Sequence, residues 1–208
     1  MAGDVPCDAS AFTQGVVSPR IIQDLEGWIS DGGEQVVAIN LNEAIGTNRY
    51  FGEFGSERST GGDSDTILTM APRSCQDGTC DDPASFSYQW VGSTSRGIHV
   101  LRTALNSGGT GVFESLLLVT LVFDQGFSYD ADNKSLTAGR QRCLIKRMGS
   151  IPLGDRYDGK VSLHGDTLHI GADDNPRGAG RFPNSARIVV PPPPDGTASQ
   201  PGSGENKP

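Results

Sequence analysis

Basic residues are the scarce charge in this chain. Seventeen lysines and arginines face 25 aspartates and glutamates, a formal net charge of -8. A surface of that sign repels phosphate backbones over distance, so general nucleic-acid binding is not expected. Long apolar runs are missing as well. The longest, VFESLLLVTLVF from Val112 to Phe123, carries Glu114 and stops short of the roughly 20 residues a membrane helix needs. No membrane association is expected. The opening MAGDVPCDAS has neither the basic start nor the apolar core of a secretory leader, which makes a soluble, cytoplasmic protein the expectation.

The usual catalytic and cofactor signatures are absent too. SGGTG at Ser107–Gly111 precedes a strand, whereas a dinucleotide loop follows a strand and opens a helix. No nucleophile elbow, zinc-finger spacing or haem-attachment motif occurs. No cofactor is singled out. Cysteine is sparse, four in all. Cys143 lies among apolar neighbours, where a buried thiol is the ordinary reading, and Cys7 lies near the start. Cys75 and Cys80 frame a turn-rich loop, where free thiols, a bridge or part of a metal site all remain open.

Glycine is plentiful, with 28 residues, and proline contributes 13, while apolar residues make up 35% of the 208. That balance describes one core dressed with long loops. We expect a flexible N-terminus over 1–17, a single β-rich globular domain over 18–190 with a long loop at 46–85, and a disordered Pro/Gly-rich tail over 191–208. Ser18 and Pro19 open a helix whose Ile21, Ile22, Leu25 and Ile29 share one side. Alternation in FSYQWV (Phe86–Val91) marks a half-buried strand, and Val112–Phe123 reads as a central strand covered on both faces. DQGFSYDADNK after it reads as a turn region. VSLHGDTLHI forms a hairpin about His164-Gly165-Asp166, and Ala186–Val190 adds a closing strand. The fold class is mainly β: a β-sandwich or partly open β-barrel with one N-terminal helix.

The candidate chemistry lies in a few clusters. His164 and His169 are imidazole ligands in the hairpin, and Asp130 and Asp132 are hard oxygen ligands in DADNKS, so all four are candidate metal ligands. Five positions separate the two histidines. In a straight strand that spacing sends them to opposite faces, so convergence needs the turn to rotate them or His99 to join. His164, Asp166, His169 and Glu114 are the candidate catalytic residues, with histidine exchanging protons near neutrality and Glu114 gaining proton affinity if turned inward. Arg140, Arg142 and Lys146 share strand parity and form a positive stripe suited to an acidic protein partner or a small anionic ligand. Two functions compete. The first is a non-catalytic binding or assembly protein using a β-sheet surface, compatible with a homo-oligomer. The second is a small β-rich hydrolase, lyase or isomerase using histidine and carboxylate chemistry, with or without a metal.

Overall fold

The computed structural model describes residues 5–27, 35–44, 85–173, 182 and 184–194, and the backbone alone of 57–61 and 65–69. The protein is mainly β, built from two antiparallel sheets with few helices, and no closed barrel forms among the described residues. Among the described residues, three short helices pack near the start: α1 (Ser10–Thr13), α2 (Pro19–Gly27) and α3 (Leu41–Ala44). Ser18 caps α2 as its sequence implies, its Oγ accepting the Arg20 amide at 3.2 Å. Ile21, Ile22 and Leu25 then turn inward and are fully buried. Ile29 lies outside the described residues.

The larger sheet has seven strands in the order β1-β7-β6-β5-β4-β3-β2. These are β1 (Ala38–Asn40), β2 (Glu57–Gly61), β3 (Asp65–Thr69), β4 (Ser85–Ser93), β5 (Ile98–Asn106), β6 (Phe113–Asp130) and β7 (Ser135–Asp155). The smaller sheet, β10-β9-β8, joins β8 (Val161–His164), β9 (Thr167–Ile170) and β10 (Ala186–Val189). β6 is central, as its apolar run requires. Leu117, Val119 and Leu121 face the helices with Phe86, Tyr88 and Ile145. Leu116 and Leu118 face the small sheet with Val100, Leu153, Leu168 and Ile170. Strand alternation thus supplies one core on each side of one sheet.

Two expectations about particular segments change. Residues 5–17 are not a loose lead. Ala11, Phe12 and Val17 are buried in the helix-side core, and Cys7 forms a disulfide with Cys143 across 136 positions, with Cα atoms 5.6 Å apart. Cys143 is buried as expected, but it is not a thiol. DQGFSYD is not a turn either, because β6 runs on to Asp130 and only Ala131–Lys134 turns. The long pairing of β6 with β7 carries strand structure through Gln125 and Gly126, which have little strand propensity of their own. Cys75, Cys80, Tyr50, Phe51 and Phe54 lie outside the described residues.

Candidate functional site

The small hairpin brings the two histidines together. β8 and β9 pair Ser162 with His169 and His164 with Thr167 around a two-residue loop, and β10 adds Arg187 beside His169. Gly165 takes φ +58 in that loop, a conformation glycine supplies without strain. Residues paired across an antiparallel ladder share a face, so His164 and His169 lie on the same outer face although odd-numbered spacing separates them. The straight-strand expectation fails because the turn reverses the chain between them. Their ring centroids are 5.0 Å apart, edge to face, and Ser162 Oγ lies 3.3 Å from His164 Nε2.

The other expected partners go elsewhere. Asp166 reaches from the loop to Ser95, accepting its amide at 2.8 Å and its hydroxyl at 2.9 Å. These bonds hold its carboxyl below the usual aspartate range. Asp166 therefore ties the small sheet to the β4–β5 turn. His99 lies on the helix side of the large sheet, 6% exposed and 5.1 Å from the Phe12 ring, so it does not join the hairpin pair. Glu114 accepts Arg102 Nε at 2.6 Å, and Arg102 also donates to the Tyr157 carbonyl at 2.7 Å. Burial pushes Glu114 upward and Arg102 opposes it. This ion pair clamps the 155–160 connection onto β5 and β6.

The oxygen ligands are equally committed. Asp130 Oδ1 accepts the amides of Asp132 and Asn133 at 3.0 and 3.2 Å, while Oδ2 accepts Asn133 Nδ2 at 2.8 Å. It closes the β6–β7 turn in the manner of an Asx turn. Among the described residues, no three His, Cys, Asp or Glu side chains are placed to share a metal ion. His164 and His169 lie on the small sheet and Asp130 and Asp132 at the end of β6, so the four candidate ligands belong to two separate places.

The positive stripe is partly dispersed. Arg142 stands opposite Asp124 and binds it through Nε and Nη2 at 2.9 and 2.6 Å. Lys146 shares its alternation, with buried Cys143 and Ile145 facing the other way. Arg140 falls where the register shifts between Gln125 and Phe127, so it has no ladder partner and loses the parity a regular strand would impose.

Sequence reasoning missed two larger features. The first is the arm made by the far halves of β6 and β7. β5 accompanies β6 only as far as Thr120, and β1 meets β7 only at Leu144–Lys146. Beyond those points, among the described residues, the two strands pair only with each other. The arm exposes Phe123 (55%), Phe127 (70%), Tyr129 (65%) and Leu136 (71%). The three aromatics continue the alternation of Val119 and Leu121, and Leu136 opposes Tyr129, so all four share one face. Every second residue from Val119 to Tyr129 except Gln125 is apolar, and that pattern was the available signal.

None of the family models, curated proteins or solved structures compared with the chain matches it. The arm and the pocket described next therefore stand on their own geometry.

The second missed feature is a cavity of about 390 Å³ between α2 and the sheet, within the usual size range of small-molecule sites. Phe86, Leu105 and Phe113 form its apolar wall, and Glu26 and Ser115 contribute polar groups. Thr103 Oγ1 donates to Glu26 Oε1 at 2.9 Å. Burial raises the Glu26 carboxyl above its ordinary value, against the hydroxyls of Thr103 and Ser115 and the charge of Arg147. Only the folded sheet reveals the site, since Glu26 reads in the sequence as the polar side of an amphipathic helix.

Proposed function

We propose that this is a non-catalytic assembly protein whose working surface is the β6–β7 arm and whose partner is a second copy of the chain. The observation that carries the reading is the row of four large apolar side chains on one face of a two-stranded ribbon. A lone ribbon is marginal in water, and a clustered apolar face of this kind marks contact with another surface. Side chains of this size bury roughly 150–250 Å² each when covered, so four that are already partly covered offer about 500 Å² per copy. A two-fold pairing would bury about 1,000 Å², the lower bound for a specific interface.

Charge along the arm supports an antiparallel, two-fold arrangement. Asp130 and Asp132 outnumber Lys134 near the tip, whereas Arg140, Arg142 and Lys146 outnumber Asp124 near the base. Antiparallel pairing of two arms sets each acidic tip beside a basic base. The enzyme alternative draws less support, because its residues serve different places: His164 and His169 on the small sheet, Asp166 on Ser95, and Glu114 on Arg102.

Sedimentation of the full chain over a range of concentrations tests the proposal. The wild type is expected to form a dimer, and Phe127→Ser with Tyr129→Ser a folded monomer. A wild type that stays monomeric, or a dimer indifferent to those changes, overturns it.

No helix among the described residues is long and apolar enough to cross a membrane. For its location we propose an oxidising compartment, against the cytoplasmic expectation. The supporting fact is the Cys7–Cys143 disulfide, since such bonds are rare where thiols are kept reduced.

A further inference from the structure

We infer that the cavity between α2 and the large sheet is a binding site for a small organic cation, a primary ammonium carried on an aromatic or short alkyl body. The inference does not rest on the arm. Glu26 lines the cavity, and its carboxylate is held toward the sheet by the 2.9 Å bond from Thr103 and by Ser115. Thr103 is 1% exposed and donates a hydrogen bond, so the floor presents an oriented acceptor. Phe86 and Phe113 line the cavity beside it, and aromatic rings attract a cation as well as an apolar body.

Among the described residues, the cations near the cavity are held by other partners. Arg20, at the rim, contacts Asp24 at 3.4 Å and donates to Gln23 Oε1 at 3.3 Å. Arg147 acts on Glu26 at a distance, but it does not line the cavity and its guanidinium is held by Gln35 and Ser150. Among the described residues the lining carries Asp24 and Glu26 against Arg20, a net charge of -1 in a half-enclosed apolar space. An anionic ligand meets like charge there and a neutral one leaves the carboxylate unpaired. An ammonium pairs with it directly. Burial in the same half-enclosed space raises the proton affinity of Glu26, with the Thr103 and Ser115 hydroxyls and the charge of Arg147 acting against it.

Calorimetric titration of the full chain near neutral pH with benzylammonium, benzyl alcohol and benzoate tests this. Benzylammonium is expected to bind one saturable site with a Kd of about millimolar or tighter, at least about tenfold better than benzyl alcohol. Glu26→Gln keeps shape while removing charge, and should abolish the preference without lowering the melting temperature. Phe113→Ser, at a residue 57% exposed and so tolerant of change, should weaken benzylammonium binding and serves if the first variant does not fold. Equal binding of the amine and the alcohol, tighter binding of benzoate, or no saturable binding of benzylammonium each overturns the inference. The Phe127 and Tyr129 variants should bind the amine unchanged, so a failed dimer and an empty cavity are separate results.

Discussion

His99 shows how burial alone turns one side chain into a pH sensor for stability. It lies under Phe12, with Ser93 Oγ 2.6 Å from its Nδ1, and burial lowers its pKa from 6.5 to about 4 while Asp8 opposes the shift. The unfolded chain binds a proton at the ordinary value, so between pH 6.5 and 4 protons favour the unfolded state. The stability linked to His99 is present above pH 6.5 and is lost as pH falls toward 4, by about 3 kcal/mol at most. Glu26 and Glu114, both raised by burial, contribute in the opposite sense as pH falls. Urea unfolding at a series of pH values should show that acid loss flattened in His99→Gln; an unchanged slope would contradict the assignment. The histidines at 164 and 169 carry a different lesson. Their shared face depends on a two-residue turn, and parity counted along the chain inverts once the chain doubles back.

At the scale of elements, the arm depends on its root. Cys143 is tied to Cys7 by the disulfide, its amide donates to Asn42 Oδ1 at 2.7 Å, and next to it Arg142 binds Asp124. The arm leaves the body just past these three attachments, so its direction is set by covalent, hydrogen-bonded and ionic contacts together. Arg140→Glu with Arg142→Glu would place two acids opposite each other at Asp124 and reverse the charge of the base. Dimer affinity should fall at least about tenfold at low salt. The wild-type affinity should weaken as salt rises, since exposed charges are screened. Sedimentation at two ionic strengths checks both, and salt-independent association would leave only the apolar face as its cause. Elements defined by local pattern were legible beforehand: the Ser18-capped helix, FSYQWV, the hairpin and the central strand. The extension of β6 was not, because Gln125, Gly126 and Ser128 carry little strand propensity and gain their geometry from β7.

Across the whole molecule the disulfide is the longest-range covalent constraint among the described residues. In the chain-entropy model, closing a loop across 136 positions removes enough unfolded-state freedom to stabilise the fold by about 4–5 kcal/mol. Cys7→Ser with Cys143→Ser should lower the denaturant midpoint by a corresponding amount, and reductant should do so in the wild type. A midpoint unmoved by either treatment would show that the bond adds nothing. The sequence by itself determined the mainly β class, a capped apolar helix packed against it, and a doubly covered central strand. Each of those is written in spacings of two to four residues, which local backbone geometry converts directly into a buried face. Tertiary structure alone decided that Cys7 meets Cys143, that His164 and His169 share a face, that Glu26 lines a cavity, and that β6 and β7 run on into an arm. Such outcomes depend on register and on which distant segments pack together. Those are set by the sum of many weak contacts, and no short window of sequence contains them.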